Sequence, residues 1–551
     1  MLNRLKATLG LLAASVFALS IVSGNVLANS DDRCGDARVL ALVNGKIITV
    51  NPDDAIVSSV VIRDGRFSVV GNKAKGLGPC ATVINLRGRT VIPGLIDSHV
   101  HYLRAGIRPG HDARAIDTAF SISEVQAVIA ARASGVPDGE FVTAIAGFHE
   151  VQFAENRLPT LAELDAAAPD HPVYLQRGFN GPSVTNSLGK AFFEGAGLVV
   201  GGDGSLSAGA AFAALAAVQT FEEKVRGTRD LMAHSASIGL TGVADTGGGR
   251  GSSGTAFWFD SSAEAYAPAL ALWRDGGFTV RVRISFISGD DETLTAITAR
   301  MENAFMGFGD GMLRVAGLGE QVTSPSTSTA YTLAVKKIAE NGWGHRQHSS
   351  SVNENLSHLA AFQAADAIAP IADLHWALEH VFSIDAATLN ALIALGAGVG
   401  VQDQRWLSGS TTRGGPPYRL VVDSGINAGA GTDSTNVAAL NPWLGLYYMT
   451  TGINAGGNLV NAGQTISRLE ALRLNTVGSA WISRDEDERG SIEVGKLADL
   501  VVLSDDYLTV ADEDIRTITS VLTVVDGRIV HSDGTLRFDD DDDDDGSDSD
   551  D

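Results

Sequence analysis

The sequence predicts an α/β protein whose main body is a (β/α)8 barrel of the TIM type, with a small β-sandwich domain formed by both chain ends. Three observations support this prediction. Hydrophobic residues make up 44% of the 551 residues, and 62 glycines suit tight turns between strands and helices. The middle of the chain alternates short apolar runs with helix-like stretches. Both ends are rich in β-branched runs.

The first 28 residues have the layout of a secretory signal peptide. Two basic residues precede an apolar run over 9–22, and small side chains continue to Ala28, where we expect cleavage. The alternative is an uncleaved membrane anchor, which the shortness of the apolar run disfavours. Cleavage would leave no stable membrane anchor and an exported protein, periplasmic or extracellular. In such a compartment Cys34 and Cys80 could form one structural disulfide.

The two chain ends contain short strand-like runs bounded by turn dipeptides. The N-terminal runs cover residues 39–50, 55–63 and 66–70. Asn-Gly and Asp-Gly separate them, which predicts an antiparallel sheet. The C-terminal runs cover residues 499–503, 518–525 and 528–531. Both ends are therefore expected to pair into one composite sandwich, to which we assign residues 35–92 and 484–537.

The middle of the chain, residues 93–483, is assigned to the barrel. Its candidate strands cover residues 91–103, 239–245, 279–286, 313–320, 343–348, 374–380, 397–402 and 426–433. Eight alternating units indicate a closed barrel, whose reactive groups lie at the C-terminal ends of the strands. The first connection is far longer than one crossover helix needs. We therefore expect an insertion after the first barrel strand, over about 102–226, that shapes the pocket.

The acidic balance of the chain argues against nucleic acid as a partner. Its formal net charge is −24, whereas a phosphate backbone demands a basic face. Much of this charge lies in residues 538–551, where an unbroken aspartate run cannot bury a core and should be disordered. Solvation is the simplest role for the tail, and weak calcium collection or a surface contact is the alternative.

Side chains of the types that bind divalent metals lie at the ends of the predicted strands. His99 and His101 are two apart on the first strand, so their imidazoles project from one face. Later strand ends carry one such residue each: Glu320, His348, His380 and Asp433. A histidine pair alone is weak evidence, but a series of such residues at strand ends rarely arises by chance. The pattern predicts a site for zinc or a similar divalent ion.

Five motifs give the chain a family resemblance. They are VIPGLIDSHVH at 91–101, LEH at 378–380, GTDS at 431–434, NPWLGLYYMTT at 441–451 and GSIEVGKLADLVVL at 490–503. Through these motifs, their order and their spacing, the sequence resembles the amidohydrolase superfamily over nearly the whole mature chain. It resembles more closely the branch of N-substituted formamide deformylase-like enzymes, amidohydrolase family 3.

The resemblance implies a barrel that holds one or two divalent ions, usually zinc, and a homodimer as the expected assembly. It assigns metal ligation to His99, His101, His348, His380 and Asp433. Many binuclear relatives have a carboxylated lysine on the fourth strand, and this chain departs from them, because Lys336 and Lys337 fall in a later helical stretch. We therefore expect Glu320 to bridge two ions, with a mononuclear site as the alternative.

These ligands predict hydrolysis by metal-activated water. A divalent ion lowers the pKa of bound water to roughly 7 and polarises a carbonyl. Asp433 is expected to orient the water, accept its proton and pass it to the leaving group. The predicted reaction is hydrolysis of a C–N bond in a small amide, formamide or cyclic amide. The alternatives are hydrolysis of an ester, lactone or carbamate, and a barrel that binds metal or small ligands without turnover.

Residues near the other strand ends are predicted to contact the substrate. This set comprises His149, Asp245, Gln402, Arg405 and Trp406. His149 lies in the insertion, and a surface position is its alternative. Arg405 could bind a substrate carboxylate through its planar guanidinium, or it could hold an acidic loop. His345 would point to the opposite face from His348, so we expect it to be structural.

Overall fold

The structure is a computed structural model that describes residues 39–78, 80–178, 181–247, 263–412, 414–434 and 437–536. The predicted signal peptide, Cys34 and the predicted acidic tail lie outside these residues. Cys80 is described and takes part in a disulfide bond. None of the described helices combines the length and the apolar character that a membrane span requires.

Seven short strands form the N-terminal part of the described chain. They are β1 (Val39–Val43), β2 (Lys46–Ile48), β3 (Ile56–Val57), β4 (Ser59–Arg63), β5 (Arg66–Gly71), β6 (Ala81–Asn85) and β7 (Thr90–Pro93). Strands β4 and β5 form a hairpin whose turn residues, Asp64 and Gly65, both have positive φ. The expectation of a purely antiparallel sheet is wrong, because β1 pairs in parallel with β6 and β2 in parallel with β7. The turn at Asn44 leads the chain from one sheet into another instead of closing a hairpin.

Two elements connect this region to the insertion. They are β8 (Leu95–Val100) and α1 (Tyr102–Gly106). Gly94 separates β7 from β8, so the single strand predicted over 91–103 is two strands in different sheets. The backbone nitrogen of Gly94 donates a hydrogen bond to Asp499 O at 3.0 Å. The opening motif is therefore the point at which the chain passes between sheets.

The predicted insertion has secondary structure of its own. Its elements are β9 (His111–Asp112), α2 (Ile122–Ala133), β10 (Val142–Ile145), α3 (Leu161–Ala167), β11 (Val173–Gln176), β12 (Ser183–Thr185), α4 (Ser187–Gly195), β13 (Ser205–Leu206) and α5 (Ala208–Val218). The five strands form one sheet in the order β13-β12-β11-β10-β9. Ser121 caps α2 by accepting a hydrogen bond from Glu124 N at 3.2 Å. Helix α2 packs on the sheet through Val125 and Ile129, in a hydrophobic cluster distinct from that of the main body.

Strands and helices alternate after the insertion. In chain order they are α6 (Phe221–Ser237), β14 (Leu240–Asp245), α7 (Ala263–Arg274), β15 (Arg281–Phe286), α8 (Thr295–Asn303), β16 (Leu313–Leu318), α9 (Thr329–Glu340), β17 (Arg346–Ser349), α10 (Val352–Asp366), β18 (Ala377–His380), α11 (Ala386–Ala394), β19 (Gly398–Gln402), α12 (Tyr418–Ser424), β20 (Ala428–Gly431), α13 (Pro442–Thr451), α14 (Arg468–Arg473) and α15 (Ser479–Ile482). With β8, these strands correspond to the eight predicted for the middle of the chain, and each is shorter than predicted. The result is a mixed α/β fold.

The eight strands form two four-stranded parallel sheets, β16-β15-β14-β8 and β17-β18-β19-β20. Beside β16 and β17, Leu318 N donates a hydrogen bond to Gly344 O at 3.0 Å. Beside β8 and β20, Asp433 N donates to His99 O at 2.8 Å. Gly431 permits this second approach, because a Cβ at that position would lie 2.5 Å from His99 N.

The end of the chain returns to the N-terminal strands. β21 (Leu500–Leu503) pairs with β7 in antiparallel fashion, and β22 (Ser520–Val525) and β23 (Arg528–Ser532) extend the sheet. Its strand order is β23-β22-β21-β7-β2-β3. Leu42 of the four-stranded sheet β5-β4-β1-β6 and Val502 of the six-stranded sheet belong to one hydrophobic cluster. Both chain ends therefore contribute to one sheet and one core.

A buried ion pair connects the six-stranded sheet to the parallel strands. Arg281 in β15 donates to both carboxylate oxygens of Asp499, from Nε at 2.7 Å and from Nη2 at 3.0 Å. Asp499 directly precedes β21, and both side chains are buried. Burial alone would raise the pKa of Asp499, but the guanidinium of Arg281 outweighs it and holds that pKa below its usual value.

Replacing Asp499 with alanine is expected to lower the free energy of unfolding by about 3–5 kcal/mol, because Arg281 would lose its buried counter-charge and keep only Asp526, whose side chain is 42% exposed. Denaturant unfolding followed by tryptophan fluorescence measures the loss. Asp423→Ala is the matched control, since Asp423 is 63% exposed where it pairs with Arg419, and its loss should cost only about 0.3–0.5 kcal/mol.

The same pair predicts a pH dependence. A carboxyl whose folded-state pKa is lowered stabilises the fold above its unfolded-state pKa, and this stabilisation disappears as pH falls through the folded value. The difference in the free energy of unfolding between wild type and Asp499→Ala should therefore become smaller at acidic pH. Equal stability losses in Asp499→Ala and Asp423→Ala at neutral pH would contradict the assignment.

Candidate metal centre

The first pair of candidate ligands lies where β8 ends. His99 is within the strand and His101 directly follows it, with ring centres 6.0 Å apart. Asp97 accepts hydrogen bonds from His99 N at 2.9 Å, from Thr432 N at 3.1 Å and from Thr432 Oγ1 at 2.5 Å. Burial raises the pKa of Asp97 to about 6 against the lowering effect of these bonds. Asp97 therefore fixes β8 against the segment that carries Asp433.

Glu320 lies at the centre of the predicted ligand set. Its Oε2 is 2.9 Å from His348 Nδ1 and 3.0 Å from His380 Nε2. The same oxygen is 3.5 Å from His99 Nε2, and Oε1 is 3.3 Å from His101 Nε2. Burial would raise the pKa of Glu320, but hydrogen bonds with the histidines hold it well below its usual value. One carboxylate thus touches all four predicted histidines.

Asp433 approaches the same cluster from the end of β20. Its Oδ1 lies 3.4 Å from His101 Nε2 and 3.8 Å from His99 Nε2. Two overlapping groups have donor atoms within 4.8 Å of one another: His99, Glu320 and His380, and His99, His101 and Asp433. The structure therefore brings all six predicted ligands together, in an arrangement compatible with one ion or two.

The donor set fits a divalent ion. His99 Nε2 is buried and has no hydrogen-bond partner among the described residues. Ligand bonds of about 2.0–2.1 Å in a tetrahedral site place neighbouring donor atoms roughly 3.4 Å apart. His101 Nε2 has this separation from an oxygen of Glu320 and an oxygen of Asp433. Imidazole and carboxylate are also the donor types that zinc takes in catalytic sites.

Charged residues behind the cluster contact His99. Glu379 Oε2 lies 3.1 Å from His99 Nδ1, and Glu379 Oε1 accepts from Arg346 Nε at 2.6 Å. Burial opposes ionisation of Glu379, but the guanidinium of Arg346 lowers its pKa to about 2. A histidine held through one ring nitrogen keeps the other aimed at a metal. Neither residue was predicted from the sequence, although Glu379 precedes a predicted ligand in the LEH motif.

Two residues predicted to contact the substrate form hydrogen bonds with the backbone near strand ends. Both carboxylate oxygens of Asp245 accept backbone hydrogen bonds, from Leu103 N and Gly247 N, each at 3.0 Å. Gln402 is fully buried, and its Oε1 accepts from His380 N at 2.7 Å. These hydrogen bonds position Asp245 and Gln402 within the chain, and their contact with a substrate stays a prediction.

Trp406, also predicted to contact the substrate, packs among aromatic side chains. It is buried, and its ring centre lies 5.9 Å from those of both Tyr447 and Tyr448. The preceding residue, Arg405, has a φ of 72°, so side chains in this loop do not follow the alternation of a strand. Arg405 is partly exposed and forms no ion pair or hydrogen bond within the described part of the chain. Its contact with a substrate carboxylate stays a prediction.

The remaining histidines lie apart from the cluster. His149 belongs to the insertion, where its Nε2 is 3.2 Å from Arg177 Nη1, and burial lowers its pKa. Over the described ranges it makes no contact with the predicted metal ligands. His345 is structural, as expected, because Leu318 O lies 3.0 Å from its Nδ1 and Tyr331 Oη 3.1 Å from its Nε2.

Comparisons with known proteins identify relatives of this chain. A sequence model of the amidohydrolase family matches residues 82–531. The chain is 24% identical over 547 residues to N-substituted formamide deformylase from Arthrobacter pascens, a match that covers 89% of this chain and 98% of that protein.

Solved structures share the fold. One is an uncharacterized metal-dependent hydrolase from Pyrococcus horikoshii OT3, with a TM-score of 0.57 and 19% identity over 86% of this chain and 99% of that chain. Another is atrazine chlorohydrolase TrzN from Arthrobacter aurescens TC1 complexed with zinc, with a TM-score of 0.52 and 15% identity over 90% of this chain and 95% of that chain. These similarities concern the arrangement of the chain.

The purified protein is expected to contain one to two equivalents of divalent metal. The variant His99→Ala should contain less, because His99 belongs to both groups of donor atoms described above. Elemental analysis by mass spectrometry measures the metal. His531→Ala is the control, since His531 lies on β23 and contacts Ser520 O. Protein without metal after reconstitution, with no difference between the two variants, would contradict the assignment.

Glu320→Ala tests whether this carboxylate bridges two ions. A bridged pair predicts that the variant binds less metal than wild type, because the shared ligand is lost. The same elemental analysis gives the count. An unchanged count would favour a single ion held by the other donors.

Proposed function

The chain belongs to the amidohydrolase family, so it is a metal-dependent hydrolase, and we propose that its reaction is hydrolysis of an amide, formamide or cyclic amide. One observation carries this proposal: four histidines and two carboxylates meet in a single cluster near strand ends. Similarity to a formamide deformylase over nearly the whole chain supports the choice of a C–N bond.

Asp433 is the residue to which we assign proton transfer. The four histidines and two carboxylates of the cluster would hold a divalent ion, which would supply activated water near neutral pH and polarise the carbonyl. The hydrogen bond from Asp433 N to His99 O holds this carboxylate beside the cluster. As the water oxygen bonds to the carbonyl carbon, Asp433 accepts the proton. It then gives that proton to the nitrogen as the C–N bond breaks, leaving an acid and an amine.

Zinc is the ion that we propose for the centre. Neutral imidazoles and carboxylates are suitable ligands for zinc. The structural neighbour TrzN is complexed with zinc, which supports the same choice here.

A closed (β/α)8 barrel with a β-sandwich domain is the architecture that we propose. Support for the barrel comes from eight parallel strands in two sheets whose edges are joined by hydrogen bonds near Leu318 and near Asp433. Support for the sandwich comes from the hydrophobic cluster shared by the four-stranded and six-stranded sheets.

Export is also part of the proposal. Its support is the secretory layout of residues 1–28 together with the disulfide bond of Cys80, since disulfides persist mainly in oxidising compartments. The enzyme would then act on small molecules outside the cytoplasm.

A panel of N-acyl amines, formamides, hydantoins and lactones tests the reaction. Wild type is expected to hydrolyse at least one C–N substrate, and Asp433→Asn to lower kcat by about 10²–10⁴-fold, because the proton acceptor is removed. Metal content of Asp433→Asn is measured in parallel, since Asp433 is also a candidate ligand. Asp423→Asn, at an exposed position of α12, is the matched control.

Three outcomes would overturn parts of this proposal. Full activity in Asp433→Asn would remove the proton-transfer role. Turnover of lactones without any C–N substrate would identify an esterase. Metal-loaded protein that hydrolyses nothing in the panel would contradict the proposed reaction.

A further inference from the structure

Gln404, in the loop after β19, touches the cluster from outside the predicted ligand set. Its side-chain amide lies 2.6 Å from His380 Nδ1, and the residue is only 8% exposed. One amide atom makes this contact. The other is buried and has no hydrogen-bond partner in the described ranges. Buried polar atoms are nearly always paired, so this one marks a position that a ligand can complete.

The chemistry of His380 decides which amide atom is left without a partner. His380 Nε2 faces Glu320 Oε2 at 3.0 Å within the cluster. An imidazole that binds metal through Nε2 is neutral and carries its proton on Nδ1. That N–H requires an acceptor, so the oxygen of the Gln404 amide must face it. Rotation about the last side-chain bond exchanges the two amide atoms and leaves the NH2 group without a partner.

The loop holds this amide in a fixed position. Asp403, on one side of Gln404, accepts a hydrogen bond from Tyr418 Oη at 2.8 Å. On the other side, Trp406 is packed against Tyr448. Buried anchors on both sides fix the backbone of Gln404, which is the preorganisation that a hydrogen-bond donor for a developing charge needs.

The amide also lies close to the site of the proposed reaction. Asp433 Oδ2 is 4.0 Å from His380 Nδ1, the same atom that the amide contacts. The Gln404 amide and the carboxylate to which we assign proton transfer therefore approach the same nitrogen of His380.

We propose that the side-chain NH2 of Gln404 donates a hydrogen bond to the carbonyl oxygen of the scissile amide. This inference rests on the proposed function. The bond strengthens as water adds to the carbonyl carbon and its oxygen gains negative charge. One such donor typically changes kcat by about 10²–10³-fold.

Nuclear magnetic resonance of protein labelled with 15N-glutamine tests the bond directly. Methylphosphonate serves as the probe, because it is a stable tetrahedral oxyanion. The side-chain NH2 signal that disappears in Gln404→Leu should move downfield when methylphosphonate saturates metal-loaded wild type. The signal of Gln126, which binds Glu163 O in the insertion, is assigned through Gln126→Leu and should not move.

Substitution separates donation from mere support of His380. Gln404→Glu keeps an oxygen for His380 Nδ1 but has no NH2 group. Its metal content should equal that of wild type, whereas its Kd for methylphosphonate, measured by calorimetry, should rise at least about tenfold, as loss of a hydrogen bond to a charged group predicts. Gln404→Leu should also bind the probe more weakly.

Two results would overturn the inference: a Gln404 signal that stays in place at saturating methylphosphonate, or Gln404→Glu binding the probe as tightly as wild type. If wild type hydrolyses amides but either result is found, the role of Gln404 fails alone. If wild type hydrolyses no C–N substrate, the proposed function fails, whatever the resonance shows.

Discussion

The buried carboxyl of Asp97 is the constraint on which the site depends. It accepts hydrogen bonds from the backbone of His99 in β8 and from Thr432 beyond β20, at the seam between the two parallel sheets. His101 follows β8 and Asp433 follows β20, so the pairing of these strands brings the two side chains together. His101 Nε2 lies 3.4 Å from Asp433 Oδ1. Loss of Asp97 would loosen the ligands without removing one of them.

Around the cluster, polar residues are arranged in layers. The four histidines surround Glu320, and behind His99 the carboxylate of Glu379 is neutralised by Arg346. Glu379 Oε2, 3.1 Å from His99 Nδ1, can accept a hydrogen bond from that nitrogen, which leaves the lone pair of Nε2 directed inward. Glu379 and Arg346 therefore orient His99 for binding a cation.

The sequence was sufficient to predict the six cluster residues and the eight strands, because side chains of ligand type stand at or just beyond the ends of runs with strand periodicity. It was insufficient for the loops. Backbone with positive φ at Arg405 breaks that periodicity, so the burial of Trp406 and the approach of Gln404 to His380 could not be derived. The hydrogen bond that Gln402 accepts from the backbone of His380 could not be derived either, because only the pairing of neighbouring strands brings these two residues together.

The insertion has hydrophobic packing of its own, and this separation affects how the protein can evolve. Residues such as Val125 and Ile129 pack within the insertion and not against the core of the parallel strands. Substitutions there can remodel one region while the register of β8 and β20, and with it the reaction centre, is preserved. The sequence of the insertion can therefore vary while the cluster residues keep their positions.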